Sequence, residues 1–122
     1  MVFENRHVHA FFRLLEEETS GLDYRTPIRI KTAKQFADRL FVHPNHLNML
    51  LKRHTGLNVS AHIKKRLLEE SKALLVGTDW TLETISYAIG FSDQPNFSVF
   101  FKKCTGLTPA GYRRSSRVVS DC

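Results

Sequence analysis

An internal repeat constrains the fold of this 122-residue chain more than any other feature of its sequence. The segment from Leu47 to Leu57 matches the segment from Phe97 to Leu107 at a constant offset of 50, with aligned apolar positions and identical Lys, Thr, Gly and Leu. Three upstream positions match at an offset of 49, which pairs Ala37, Leu40 and Val42 with Ser86, Ile89 and Phe91. Self-similarity of this kind indicates a repeated supersecondary unit.

Each copy predicts a short helix, a tight turn and a second helix. In the first copy, Thr32 and Gln35 have the spacing of a capping box, so a helix should begin at Ala33. Pro44 should begin the second helix, and Gly56 should end it. This is the layout of a helix-turn-helix. Two copies are too few for a stacked helical array, so we interpret the repeat as two helix-turn-helix units.

Apolar spacing predicts helices outside the repeat as well. Val8, Phe11, Phe12 and Leu15 form a helical stripe within residues 3–20, and a loop with no sustained period follows. Between the copies, a helix at about 60–76 has one apolar face. That face consists of Ile63, Leu67 and Leu74.

We therefore predict an all-α fold of about seven helices, with two helix-turn-helix subdomains joined by a linker helix. The predicted segments are an N-terminal helix and loop in 1–31, the first helix-turn-helix in 32–57, the linker helix in 58–77, the second helix-turn-helix with a short C-terminal helix ending at Tyr112 in 78–114, and a flexible tail in 115–122.

Basic charge is concentrated in two windows that contain no acidic residue. The formal net charge is +6, and residues 41–66 and 94–120 each carry five Lys or Arg and no Asp or Glu. This distribution indicates a polyanionic partner. A basic surface without a partner would have acids interspersed among its bases.

The second helix of each copy has an apolar face and a polar face. Apolar residues at relative positions i, i+3 and i+4 should bury one side, namely Leu47, Leu50 and Leu51 in the first copy and Phe97, Phe100 and Phe101 in the second. The opposite side should face outward and present Asn45, Asn48, Met49 and Lys52, or Gln94, Asn96, Ser98, Val99 and Lys102. Exposed polar residues on ordinary amphipathic helices give the same pattern. Its occurrence twice, in register and beside the basic windows, favours DNA recognition.

These residue types suit the edges of DNA bases and the phosphates. Asn and Gln pair with adenine, Ser bonds to several bases, and Met or Val contacts the thymine methyl group. Basic residues bind phosphate, and the candidates are Lys52, Arg53, Lys64, Lys65, Lys102, Lys103 and Arg113. Arg66 either joins this set or pairs with Glu69 or Glu70. The linker helix would span roughly 25 Å at about 1.5 Å per residue. That length would suit two reading helices in adjacent segments of the major groove.

Several short motifs of the second copy occur in the order and spacing of a known family. They are Ile85, Gly90-Phe91-Ser92, Phe97, Phe100-Phe101-Lys102-Lys103, Thr105-Gly106-Leu107-Thr108-Pro109 and Tyr112-Arg113. This run resembles the C-terminal signature of the DNA-binding domain of AraC/XylS-type bacterial transcription regulators, and the resemblance covers roughly 32–114. It implies seven helices in two subdomains, with the second helix of each unit in the major groove. The base-reading positions that it implies are Asn45, Asn48 and Met49, then Gln94, Pro95 and Val99, with Asn96 and Ser98 nearby.

The sequence departs from the family pattern at three of these positions. Family members often have arginine, the usual guanine reader, where this chain has Met49 and Val99. Pro95 has no backbone donor and no polar side chain. Either the target has few arginine-to-guanine contacts, or one unit docks mainly through phosphates.

Other functional classes have little support in the sequence. No apolar stretch approaches the roughly 20 residues of a membrane span, and no secretion signal is visible, so we expect a cytoplasmic protein with free thiols at Cys104 and Cys122. His43 and His46 have a tolerable spacing for zinc but no third ligand motif, so we expect no metal or cofactor. No catalytic motif is present, which argues against an enzyme.

The expected partner is double-stranded DNA, and bacterial regulators of this kind also contact RNA polymerase. The alternative is a helical protein-interaction or RNA-binding module without base-specific DNA readout. Residues 1–31 are too short for the effector-binding or dimerisation domain that most family members carry. We therefore favour a fragment of a longer regulator over a short stand-alone member.

Overall fold

The computed structural model describes the backbone of residues 2–121 and the side chains of residues 6–116. Within that backbone there are seven α-helices and no strand, which confirms the predicted all-α class. The helices are α1 (Val2–Thr19), α2 (Ala33–Arg39), α3 (Pro44–Thr55), α4 (Val59–Gly77), α5 (Leu82–Ile89), α6 (Gln94–Thr105) and α7 (Pro109–Asp121). None of these described helices is both long and apolar enough to cross a membrane.

The chain forms two compact units whose boundaries differ from the predicted segments. The first unit comprises Met1–Ser20 and Arg29–Arg66, and the second comprises Gly21–Ile28 and Leu67–Cys122. The loop after α1 is thus divided, since the N–H of Ile28 donates to the carbonyl of Ala88 within the second unit at 3.1 Å.

Helix α4, which corresponds to the predicted linker helix, contributes to both units. Val59 and Ile63 are buried and belong to the first unit. Leu67, Ser71 and Leu75 are buried and belong to the second unit. Each half of the helix therefore supplies core residues to one unit.

Local signals in the sequence set the helix starts. The side chain of Thr32 accepts from the N–H of Gln35, whose side chain accepts from the backbone of Thr32, so the predicted capping box is confirmed. The side chains of His43, Thr81 and Asp93 cap the N-termini of α3, α5 and α6. Each cap supplies an acceptor for an N–H group that has no partner within its helix.

The second helix of each helix-turn-helix, α3 or α6, is called its recognition helix below, and the two recognition helices end in the same way. Gly56 follows α3 with φ 85° and ψ −7°, and Gly106 follows α6 with φ 84° and ψ −6°. The N–H of each glycine donates to the carbonyl of the lysine four residues earlier, at 2.9 Å for Lys52 and 2.7 Å for Lys102. Positive φ favours glycine at both positions. The repeat in the sequence is therefore a repeat in backbone geometry.

The turns between the paired helices also match, at the offset of 49. The N–H of Val42 donates to the carbonyl of Ala37, and that of Phe91 donates to that of Ser86, both at 3.0 Å. The turn position with positive φ is Gly90 in the second unit, at 100°, and Phe41 in the first, at 58°. Phe41 is 95% exposed, so packing does not compensate for this left-handed backbone.

The core of each unit is built on its recognition helix. In the first unit, Leu47, Leu50 and Leu51 are fully buried as predicted, together with Phe11 and Phe36. In the second unit, the fully buried apolar side chains among the described residues are Leu75, Ile85, Ala88, Ile89, Phe97 and Phe101. Burial of these faces fixes which side of α3 and α6 remains exposed.

Three predicted core residues are less buried than expected. Phe12 is 36% exposed, while Leu14 is buried. Leu74 and Phe100 are half-buried, while Leu75 and Phe101 are fully buried. Phe100 instead lies against Phe91, with ring centroids 5.2 Å apart. In each case the other residues of the predicted stripe are buried, and periodicity alone does not resolve which residue at the edge of the stripe is covered.

The last helix is longer than predicted. Helix α7 continues to Asp121, whereas the sequence pattern predicts a short helix that ends at Tyr112 and a flexible tail in 115–122. Gly111 is the last Gly or Pro in the chain, so no helix breaker follows it. Cys122 and the side chain of Arg117 lie outside the described residues.

Substitution of Phe101 should destabilise the second unit more than substitution of its neighbour Phe100. We expect Phe101→Ala to lower the free energy of unfolding by about 3–5 kcal/mol, because a fully buried ring leaves a cavity. Phe100→Ala should cost clearly less, because that ring is only half-buried. Urea unfolding measures both losses. Equal losses for the two variants would contradict this assignment of the helix face.

Candidate nucleic-acid interface

The predicted base-reading residues of the first unit lie in two different environments on α3. Asn45 and Met49 are exposed, with Met49 at 45%. Asn48 is half-buried, and its Oδ1 accepts a hydrogen bond of 3.0 Å from the backbone N–H of Val59, the first residue of α4. An outward polar position therefore also serves a tertiary contact, which helical periodicity does not reveal.

In the second unit, the predicted base-reading residues form a surface on α6 that is more apolar than the corresponding surface on α3. Pro95, Asn96 and Val99 are exposed, with Val99 at 66%, and Gln94 and Ser98 are half-buried. Val99 and Pro95 offer contact surface but no hydrogen-bonding side chain.

Asp93 also belongs to this surface, although it is not among the residues predicted from the sequence. Its Oδ1 accepts from the backbone N–H of Asn96 at 2.8 Å, and its Oδ2 accepts from Asn96 Nδ2 at 3.2 Å. An Asp directly before Gln94 and Pro95 is a typical N-cap signal. The start of α6 thus carries a carboxylate, whereas the start of α3 carries the imidazole of His43.

Six of the seven predicted phosphate-binding residues are exposed. They are Lys52, Arg53, Lys64 and Lys65 in the first unit and Lys102 and Lys103 in the second. Lys52 and Arg53 lie in the last turn of α3, and Lys102 and Lys103 lie in the last turn of α6. Lys64 and Lys65 lie on α4. The C-terminal end of the recognition helix is therefore basic in both units.

The seventh predicted phosphate-binding residue, Arg113, has a different environment. It is half-buried, and its Nε and guanidinium NH2 groups donate to the carbonyls of Leu75 at 2.9 Å and Thr78 at 3.2 Å. These carbonyls lie at the C-terminal end of α4, where a cation also complements the helix dipole. Arg113 therefore holds α7 to α4 within the second unit.

Arg66 also makes contacts within its unit. Its guanidinium donates to the carboxylate of Glu16 and, through Nε, to Thr19 Oγ1 at 3.1 Å. The acidic end of α1 thus lies against α4. Glu16 is 50 residues from Arg66, whereas Glu69 and Glu70, the partners considered from the sequence, are its neighbours on the same helix.

His62 lies where α1 and the end of α3 meet α4 in the first unit. The ring stacks edge-on against Phe12 with centroids 5.0 Å apart, and Nε2 lies 2.7 Å from Thr55 Oγ1. Burial, with a smaller contribution from the Lys65 ammonium, lowers the pKa of His62 from its ordinary value of 6.5. The neutral form is therefore favoured in the folded chain.

Within the described residues, no group of three or more His, Cys, Asp and Glu side chains could hold a metal ion. His43 instead accepts the N–H of Asn45 through Nδ1 at 3.1 Å. Cys104 is exposed with a free thiol.

Paired helix-turn-helix units with exposed basic recognition helices define the class of the protein, and comparisons with known proteins agree. A family profile for a helix-turn-helix domain matches residues 36–115. The chain is 40% identical over 79 residues to the transcriptional regulatory protein YesN of Bacillus subtilis. The matched segment covers 63% of this chain and 22% of YesN. The chain belongs to the AraC-type family of helix-turn-helix transcription regulators.

Solved structures share this fold. The C-terminal domain of AraT, a response regulator from Geobacillus stearothermophilus, has a TM-score of 0.72 and 26% identity, covering 89% of this chain and 84% of that one. The DNA-binding domain of AdpA, solved in complex with a target DNA, has a TM-score of 0.74 and 16% identity, covering 92% of this chain and 93% of that one. The chain spans 11% to 35% of the length of the first three curated relatives.

Acidification should destabilise the chain partly through His62. Because the pKa of His62 is lowered in the folded state, the unfolded chain takes up the proton first, and the free energy of unfolding should fall as the pH drops below about 6.5. Urea unfolding above and below that pH measures this loss. His62→Gln should remove this part of the pH dependence. His9→Gln, on the exposed side of α1, is the control and should retain it. An unchanged pH dependence in His62→Gln would contradict the prediction.

Arg113 should contribute to stability. Arg113→Lys keeps the charge but loses the paired donors, so the free energy of unfolding should fall by about 1–3 kcal/mol. Arg114→Lys, at the exposed neighbouring position, should change it by less than about 0.5 kcal/mol. Stability unchanged by Arg113→Lys would contradict this role of Arg113 within the second unit.

Proposed function

We propose that the chain is a sequence-specific double-stranded DNA-binding domain of a transcription regulator, with α3 and α6 as recognition helices in adjacent segments of the major groove. The observation that carries the proposal is the repeated geometry of the two recognition helices, each with a buried apolar face and an exposed face that ends in basic residues. An α-helix fits the major groove of B-DNA, where base pairs are distinguishable. The complex of AdpA with a target DNA supports the same use of the fold.

The proposed base readers differ between the two units. On α3 they are Asn45 and Met49, with Asn48 considered below. On α6 they are Gln94, Pro95, Asn96, Ser98 and Val99. The side chains of both sets suit adenine and the thymine methyl group, so we expect A·T pairs at the contacted positions.

Phosphate binding is assigned to six residues on the same helices and on α4. They are Lys52, Arg53, Lys64, Lys65, Lys102 and Lys103. Neutralising about six phosphates predicts a loss of roughly 10³ in affinity between about 50 and 200 mM salt. Arg113 is left out, because its guanidinium is engaged at the end of α4.

The surroundings of the domain are a further part of the proposal. The greater length of the relatives supports an effector-binding or dimerisation domain elsewhere in the full regulator. We assign such a regulator to the bacterial cytoplasm, with RNA polymerase as a further partner and no catalytic role for this domain.

Selection of bound sequences from a random duplex pool, followed by titration at several salt concentrations, tests the proposal. We expect one selected site and a steep salt dependence. Equal affinity for double-stranded RNA, or binding that hardly changes with salt, would favour an RNA-binding or protein-interaction module instead.

Asn45 and Lys52 should differ in how they contribute to that binding. Asn45→Ala should cost about 1–3 kcal/mol on the selected site and relax the preference at one or two base pairs. Lys52→Ala is the matched control on the same helix, and it should weaken binding to all duplexes and reduce the salt slope by about one. Affinities for the selected site and its single-pair variants measure both effects. An equal loss of affinity for all duplexes in Asn45→Ala would instead indicate that Asn45 contacts the DNA backbone.

A further inference from the structure

One polar contact joins the recognition helix of the first unit to the start of α4. Oδ1 of Asn48 accepts the backbone N–H of Val59 at 3.0 Å, and Val59 is fully buried. The first N–H groups of a helix have no partner inside it, and a buried N–H without an acceptor is costly. Asn48 therefore supplies an acceptor that α4 itself does not provide.

The second unit meets the same requirement by removing the donor. Fifty positions later, the places of Asn48 and Val59 are taken by Ser98 and Pro109. Pro109 is the first residue of α7 and has no N–H. No acceptor is needed at that point, so Ser98 does not have to accept a hydrogen bond from the start of α7.

We call the contact between a recognition helix and the start of the next helix, α4 or α7, a joint. The two joints are otherwise alike. Asn58 Oδ1 accepts from the N–H of Ala61 at 2.8 Å, and Thr108 Oγ1 accepts from the N–H of Gly111 at 3.0 Å. Both pairs again lie 50 residues apart. The starts of α4 and α7 therefore share one capping geometry, and proline at the first position is compatible with it.

This contact also limits what Asn48 can do at a base. An asparagine reads adenine with two hydrogen bonds, one donated by Nδ2 and one accepted by Oδ1. Oδ1 of Asn48 is already engaged by Val59. Oδ1 keeps a second lone pair, but the bond to Val59 fixes the orientation of the amide, so any base contact that needs another orientation would break that bond and leave a buried donor unpaired.

We propose that Asn48 is a positioning residue, which fixes α3 against the start of α4, and that it does not read a base. The pairs Asn48–Val59 and Ser98–Pro109 are then two forms of one joint, and Ser98 alone of the two polar residues is available to DNA. The assignment to DNA rests on the proposed function, whereas the joint itself is a property of the fold.

The test introduces the residue types of Ser98 and Pro109 at the equivalent positions of the first unit, Asn48 and Val59. Asn48→Ser should lower the folding equilibrium constant about 5- to 100-fold, because the N–H of Val59 loses its acceptor. Adding Val59→Pro removes that donor, and the double variant should recover most of the loss. Ser98→Ala is the matched control in the second unit and should change the constant by less than about threefold. Urea unfolding measures all three variants.

DNA binding provides the second readout, at temperatures where each variant is folded. Relative affinities of Asn48→Ser for the selected site and its single-pair variants should equal those of the parent chain. A changed preference at one or two base pairs would overturn the positioning role. Failure of Val59→Pro to restore stability would overturn the joint. If the parent chain binds no duplex, the proposed function fails, and the unfolding measurements still decide the joint.

Discussion

The burial of one face of each recognition helix is the constraint on which the rest of the molecule depends. Leu47 and Leu51 on α3, and Phe97 and Phe101 on α6, are fully buried, so the rotation of each helix about its own axis is fixed. An outward face is then defined without any further interaction. The surface available to DNA is a consequence of core packing, and the exposed residues are free to vary in chemistry while the helix keeps its orientation.

Polar contacts complete each unit where the helices begin and end. Caps at the N-termini and left-handed glycines at the C-termini provide partners for backbone groups that the helices leave unpaired. Longer-range contacts do the same between helices, as Arg113 does at the end of α4 and Asn48 does at its start. Several residues that look like candidates for nucleic-acid contact from their charge or polarity are therefore part of the scaffold.

The sequence predicted best what depends on neighbouring residues. The capping box at Thr32, the stop at Gly56 and the paired helices follow from spacing over a few positions, and all are present. The burial of Phe100 and Leu74 was misjudged because it depends on which neighbours cover the edge of a helix. The environments of Asn48 and Arg113 depend on residues 11 and 38 positions away, which no local pattern specifies. The roles of the base-reading and phosphate-binding residues stay predictions.

Phe41 gives the first unit a property that its counterpart does not share. Its left-handed backbone costs energy that Gly90 avoids, and its ring gains almost nothing from packing in return. Two halves built on one plan therefore differ at this turn by a local backbone cost of about 1–2 kcal/mol. Glycine in place of Phe41, as at the equivalent turn of the other half, would relieve that cost and make the amino-terminal half harder to unfold.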